Sequence, residues 1–455
     1  MNEQTFKIGS ITYIILAILA VILYIERTAF LDISFHLFYI LKDGNFAIQN
    51  NRFGAFMTQL FPLIGSKIGL PLDVIMKLYS VGFVLYYFSI FLIITKFLKV
   101  QKFGIVLLLF STLIVADTFY WIQSELPQGI AFMILYFATI YSMDNNEKLK
   151  NWLQLPVLAT MLVTLAFFHP LLIFPFLFST IFLYLDYPSQ RNYLKGGFLF
   201  YFFLLLIKSL FFKTSYDSTA MGGIKNFIEL FPDYLFLNSN KQFVLDIVNK
   251  YYLLVLVFLG MTYYYVKKSK FTKAFLIATF FIGYLLLVNV SYPKGAESFY
   301  LENLYLPLSI FVTLPYVFDL KLNNKVYLSL LILILGISLL RISINHKIYS
   351  SRVALLENYM SETQYLPEKK IIITEKQFPM DTLMMSWATP YEFWLLSTTS
   401  KNETRSIMIT DDINEVEWTK NYNKKFVTKW GAFDYSELPT KYFIFDDTTF
   451  YHFIN

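Results

Sequence analysis

Apolar residues in this chain gather into long, nearly uninterrupted runs rather than the narrow stripe of a helix that has one face in water. A hydrocarbon core of about 30 Å requires roughly 20 apolar residues per crossing helix. Runs near that length recur over the first three-quarters of the sequence and predict helices over 8–25, 74–95, 103–117, 126–142, 153–168, 170–185, 195–212, 251–266, 273–290, 300–318 and 326–344. Only His169-Pro170 separates the fifth from the sixth, so a kinked re-entrant pair is the alternative there. The expectation is an all-α polytopic membrane protein with about eleven transmembrane helices in residues 1–344 and a small α/β domain in residues 345–455.

The polar intervals between the runs predict orientation. With the N-terminus cytoplasmic, the inner segments hold Lys7, Lys96, Lys99, Lys102, Lys148, Lys150, Arg191, Lys195, Lys267, Lys268, Lys270, Lys273, Lys321 and Lys325. The short outer turns hold Lys294 alone. That alternation follows the positive-inside rule and places residues 345–455 outside, in the periplasm if the membrane is a bacterial inner membrane. No small-residue cleavage site follows the first run, which therefore reads as a retained helix rather than a signal peptide.

Two outer loops are long. The first, 26–73, contains apolar stretches at 33–41 and 56–64 that are too short to cross. They predict interfacial helices at 33–43 and 55–68. The second, 213–250, carries Gly222-Gly223 and an amphipathic stretch at 226–232, the pattern of a mobile lid. In the tail, 371–374, 406–410 and 442–445 read as strands and 389–399 as a helix with Pro390 in its first turn.

Composition narrows the function classes. The chain is 56% hydrophobic and only 15% charged, against about 25% charged in an ordinary soluble domain. Mean hydropathy is +0.51, which rules out a water-soluble enzyme or a disordered chain. The absence of cysteine removes disulfides, thiolate metal sites and cysteine nucleophiles. Residues 1–344 hold 26 basic against 17 acidic residues, and residues 345–455 hold 12 against 15. A net charge this small makes nucleic acid an unexpected partner, whereas membrane lipids are expected ones.

No Walker loop, dinucleotide fingerprint, HExxH or GxSxG occurs. Ionisable and polar side chains instead converge on the outer face: Asp32, His36, Arg52 and Gln59 in the first loop; Asp117, Glu125 and Gln128 around the third and fourth helices; His169; then Lys294, Glu297 and Glu302. Charges near membrane depth are costly and rarely incidental. For each one taken singly, an interfacial anchor, a helix cap (Asp32) or a core histidine (His169) is the competing account.

The first loop joins an acidic residue after the first helix (Asp32 within 28–36), an amphipathic helix, the Gly-containing turn at 42–45, a short helix holding Pro62, and the Gly-x-Pro approach at 68–72. With the many-helix body and the outer C-terminal domain, this resembles the integral-membrane glycosyltransferases of the GT-C fold, which use polyprenyl-phosphate-linked sugars, among them mannosyltransferases and aminoarabinose transferases. The resemblance implies an inverting transfer from such a donor to a lipid or glycan acceptor. Asp32 would be the base and Glu125 a second catalytic carboxylate, with His36, Arg52, Gln59, His169, Lys294 and Glu302 binding substrate. It implies no protein-held cofactor beyond a divalent metal ion as an option at the departing phosphate. Asp32 lacks the second adjacent acid that many members carry, and Glu302 stands where many have an arginine. A transporter or flippase for lipid-linked saccharide, an oligosaccharide polymerase and a non-catalytic scaffold of the same fold are the rival readings.

Overall fold

The computed structural model describes residues 2–143, 151–212, 214, 222–363, 369–446 and 448–454. Lys148, Lys150, Asp447 and part of the second long loop (213 and 215–221) lie outside the described residues. The protein is mostly helical. Among the described residues eight helices are long and apolar enough to cross a membrane: Glu3–Ile22, Leu72–Phe97, Glu125–Met143, Pro188–Phe211, Asn238–Lys267, Phe271–Ser291, Ser298–Asp319 and Asn324–Glu362. Three shorter apolar helices, Gln101–Phe110, Leu153–Ala166 and Pro170–Asp186, accompany them. Exposed Ile11, Ile18, Leu199, Phe203, Leu256, Phe275 and Leu333 give the outer faces the character of a lipid-facing surface.

The Ser298–Asp319 helix is buried over its crossing window and forms the axis of the bundle, packed by helices Gln101–Phe110, Ile173–Asp186, Tyr252–Lys267 and Phe271–Ser291. Beside it lies the first departure from the apolar pattern. The helix expected over 103–117 stops at Phe110, and residues 111–124 run as irregular backbone through a buried region. Three charged side chains from distant parts of the chain bond that backbone. Arg341 donates to the carbonyls of Thr112, Leu113 and Val115 at 2.6, 3.0 and 3.1 Å. Glu302 Oε1 accepts from the amides of Ala116 and Thr118 and from Thr118 Oγ1 at 2.7–2.8 Å. Arg27 donates to the Phe119 carbonyl and to Ser80. Asp117 is fixed between Lys250 (2.5 Å), Ser298 and Asn345 (2.7 Å each) and Tyr349 (3.1 Å). Burial pushes its carboxyl upward, but the Lys250 charge together with the hydrogen bonds from Lys250, Ser298 and Asn345 outweighs that and holds it below the usual range.

Other boundaries also move. The helix expected over 251–266 begins at Asn238, and the one over 326–344 continues to Glu362, carrying the last crossing helix into the C-terminal domain. In that domain β1 (Lys370–Thr374) lies between β2 (Ser406–Thr410) and β5 (His452–Ile454), all parallel, with Ile371 opposite both Ile407 and His452. The Thr389–Lys401 helix crosses from β1 to β2, and β3 (Lys425–Thr428) with β4 (Gly431–Asp434) forms a hairpin. The expected strand over 442–445 is absent and β5 takes the sheet edge. Tyr442 and Phe443 are buried instead, with Phe443 stacked on Trp394 at 4.6 Å, so the apolar pattern there records packing rather than pairing.

Helices form at both stretches expected to lie in the interface, over Leu31–Asp43 and Phe56–Lys67. Only the second exposes an apolar stripe, Phe56, Leu60, Ile64 and Ile68 at successive intervals of four. The first is buried under the C-terminal domain, where Phe38 meets the rings of Tyr391, Trp394, Phe426, Phe433 and Phe443 at 5.1–5.7 Å. At its start Leu31 takes a left-handed φ of 41°, and its amide donates to Glu392 Oε1 at 2.7 Å. Glu392 also pairs with Arg352 at 2.7 Å, and Arg352 donates to the carbonyls of Leu383 and Met385.

Glu392→Ala leaves Arg352 charged, buried and without its carboxylate, which typically costs about 3–5 kcal/mol. A drop in thermal unfolding temperature of the lipid-embedded protein is therefore expected, with earlier protease cleavage in residues 380–388. An unchanged unfolding temperature would show that this pair does not hold the C-terminal domain in place.

Candidate functional site

A cavity of about 300 Å³ opens where the Leu31–Asp43 helix, the 111–124 segment and the C-terminal domain meet. Asp32, His36, Arg52, Glu125 and His169, separated by up to 137 positions in sequence, all line it. Asp32 and His36 are one helical turn apart on one face. Glu125 is the first residue of the Glu125–Met143 helix. Arg52 and His169 come from turns that meet around Phe168, where two glycines permit the approach. A Cβ on Gly54 would lie 2.5 Å from the Phe168 ring, and one on Gly129 would lie 2.5 Å from Leu172 and 2.9 Å from Phe168 Cβ.

Asp32 does not cap its helix, since Phe30 occupies the N-cap position and no side chain bonds there. Its Oδ2 accepts from Trp121 Nε1 at 2.8 Å. Burial pushes the carboxyl up to about 6; the Trp121 bond opposes the rise, the Glu125 charge adds to it and the Arg52 charge opposes it. Arg52 Nη1 pairs with Glu125 Oε2 at 3.0 Å, with both side chains about nine-tenths buried.

The two histidines take opposite tautomers. His36 Nδ1 lies 2.9 Å from the Ala47 carbonyl, which can only accept, so the proton sits on Nδ1 and Nε2 carries a lone pair. His169 Nδ1 accepts from the Leu171 amide at 3.2 Å, so its proton sits on Nε2. Burial lowers the pKa of both. For His36 the Glu125 charge opposes the shift; for His169 the Arg52 and Lys208 charges reinforce it. The cavity thus offers one imidazole acceptor and one imidazole donor, both neutral at physiological pH.

Gln59 is one layer behind. It brackets Ala47, accepting from its amide at 2.8 Å and donating to its carbonyl at 3.0 Å, and so holds the His36 partner in place. Lys294 is exposed in the turn after Ser291 and does not line the cavity. Glu302 does not line it either; its carboxylate supports residues 116–118. Lys208, inside the apolar run 195–212, lies in the last turn of its helix and donates to the Ala166 carbonyl at 2.8 Å.

Further lining residues carried no sequence signal. Gln123 accepts from Tyr79 at 2.7 Å, which leaves its buried Nε2 without a hydrogen-bond partner. Buried Asn303 Oδ1 is likewise unpaired. Buried polar atoms are nearly always satisfied, and an unpaired donor and acceptor in one polar cavity match a ligand rich in hydroxyl groups. Among the described residues no group of three or more His, Asp or Glu side chains is placed to hold a metal ion. The donor set therefore does not fit a protein-held divalent metal, and Arg52 is the cation lining the cavity.

Because the folded-state pKa of Asp32 lies near 6 against an ordinary value of 3.8, protonation favours the folded state in that window, and the contribution is lost as pH rises through about 6. Asp32→Asn does not titrate. Its stability relative to the parent should rise as pH goes from 4 to 7 and stay flat below 4, as read by thermal unfolding across a pH series. A difference independent of pH would mean that Asp32 titrates normally.

No family model, curated protein or solved structure matches this chain.

Proposed function

We propose that this protein is a multi-pass membrane glycosyltransferase of GT-C type. It moves a sugar from a polyprenyl-phosphate-linked donor to a lipid or glycan hydroxyl, with inversion, at the outer face of a bacterial inner membrane. The observation that carries the reading is Asp32, a carboxyl raised to about 6 and held by an indole N–H in a polar cavity that also contains a guanidinium. A general base works best with a pKa near the operating pH, and a carboxylate at about 6 is ionised there yet more basic than an exposed one.

In the transfer, the Asp32 oxygen not bonded to Trp121 takes the acceptor hydroxyl proton as that oxygen attacks the anomeric carbon. The bond from that carbon to the phosphate oxygen breaks, and the phosphate leaves with the electron pair. Arg52 meets the phosphate with its planar donor fork. Glu125 holds Arg52 in the empty cavity and shares it with the phosphate once the donor is bound. His169 Nε2–H and the Gln123 amide are donors for sugar hydroxyls, and His36 Nε2 and Asn303 Oδ1 are acceptors. The residues supplying these groups come from five separate segments that converge on one cavity.

The lysine alternation supports a cytoplasmic N-terminus and a periplasmic C-terminal domain. Single cysteines introduced as Lys401→Cys and Lys270→Cys in this cysteine-free chain separate the two orientations. An impermeant thiol reagent added outside should label the first and spare the second. The opposite pattern would put the cavity on the cytoplasmic side and end the reading of a periplasmic site.

The chemical test uses membranes supplied with radiolabelled polyprenyl-phosphate sugars. Asp32→Asn should lower transfer by about 10²–10⁴-fold, the usual contribution of a positioned acid or base, while the protein stays folded. If Asp32→Asn is near normal and Glu125→Gln is not, the base lies at Glu125. If transfer is never detected with any such donor, the scaffold reading replaces the enzyme.

A further inference from the structure

The cavity wall does not end at its polar lining. Phe35 and Trp387 line it, and both contact Trp430, which stands at the tip of the β3–β4 hairpin and is 62% exposed. The Trp387 and Trp430 rings are 4.9 Å apart, and Phe35 lies 6.1 Å from each. Lys429-Trp430 forms the two-residue turn with neither residue at positive φ, and Trp430 keeps most of its surface in solvent while its ring meets that of Trp387.

We infer that Trp430, Trp387 and Phe35 form a stacking platform for a pyranose ring of a glycan acceptor, outside the cavity and continuous with it. This rests on the transferase reading for the word acceptor but not for the sugar. A pyranose has an apolar face of axial C–H groups and a rim of hydroxyls. The indole faces, with their negative quadrupole, suit polarised C–H bonds, and the unpaired Gln123 and Asn303 amides of the adjoining cavity suit the hydroxyls. Lys429, next to Trp430, forms an ion pair with Asp411 at 2.8 Å. Those surroundings favour a glycan over acyl chains as the occupant.

The test uses the full-length protein in nanodiscs, titrated with soluble hexaoses of glucose, mannose and N-acetylglucosamine while tryptophan fluorescence is followed. At least one hexaose should bind, and Trp430→Ala should weaken it by about tenfold, the loss of a typical stacking contact, with Trp430→Phe intermediate. No binding of any hexaose, or equal binding by Trp430→Ala, would overturn the inference and leave the transferase reading standing. Trp430-dependent binding in a protein that never transfers sugar would uphold the platform and remove the enzyme. Quenching of Trp430 by brominated phospholipids in the nanodisc, with no response to sugar, would make it a membrane anchor and also overturn the inference.

Discussion

Buried backbone amides and carbonyls must find partners inside the protein, and the 111–124 segment is where this chain meets that requirement without a helix. Arg27, Glu302 and Arg341 supply the partners from three distant stretches, bonding one amide or carbonyl after another between Thr112 and Phe119. Every residue that the segment sends to the cavity depends on this arrangement. Trp121 reaches Asp32 and Glu125 reaches Arg52 because the backbone leaves its helix at Phe110 and starts a new one at Glu125. A continued helix would have given the apolar sequence its expected crossing and left Asp32 without its indole partner. Three buried charges are a costly way to hold a loop, which fits a segment kept irregular for what it presents.

A second constraint acts from the opposite side of the cavity. Leu31 holds a left-handed φ, a conformation that costs a residue with a side chain of the order of 1–3 kcal/mol. Its amide is bonded by Glu392, which belongs to the C-terminal domain and is itself paired with Arg352 at the end of the longest helix. The strain sits one residue before Asp32 and sets the direction in which that helix starts. The C-terminal domain therefore acts on the start of the helix that carries Asp32 through one hydrogen bond. It also closes the cavity with Met385 and Trp387, adjacent to the carbonyls of Leu383 and Met385 that Arg352 binds.

Much of this was legible in the sequence, and the parts that were not share a cause. Each apolar run has a matching helix because apolar continuity is a local property, and the helices at Leu31–Asp43 and Phe56–Lys67 were readable from short runs bounded by polar turns. Five of the eight residues expected at a site line one cavity, since convergence on one side of the bundle follows from which turns share a face. The end of the helix at Phe110 was not legible, because the groups that hold the backbone open lie up to 229 positions away. Glu302 was mistaken for a site residue for the same reason: a carboxylate that bonds backbone looks in sequence like one that binds ligand. Tyr442 and Phe443 read as strand because a short apolar, aromatic run looks alike whether it pairs in a sheet or packs against one. Lys294 was placed by its loop alone, and a loop of that length leaves the direction of a lysine open.

The electrostatics of the cavity then form one connected arrangement. Arg52 and Glu125 neutralise each other when no ligand is bound, so the cavity is not an open anion trap for free phosphate. The negative charge of Glu125 nevertheless reaches Asp32 and helps to keep its pKa up. A ligand phosphate drawing on Arg52 would weaken that cation's counteracting pull on Asp32 and leave Glu125 less compensated. Both changes push the Asp32 carboxyl further upward, making it a stronger base when an anionic donor is present than when the cavity is empty. The two buried histidines do not interfere: burial disfavours their charged forms, at His169 with the Arg52 and Lys208 charges adding to it, and a backbone group fixes the tautomer of each. Basicity at Asp32 is set first by burial and then adjusted by the Trp121 bond and the Glu125 and Arg52 charges, and the backbone constraints on either side of the cavity keep those residues within reach of one another.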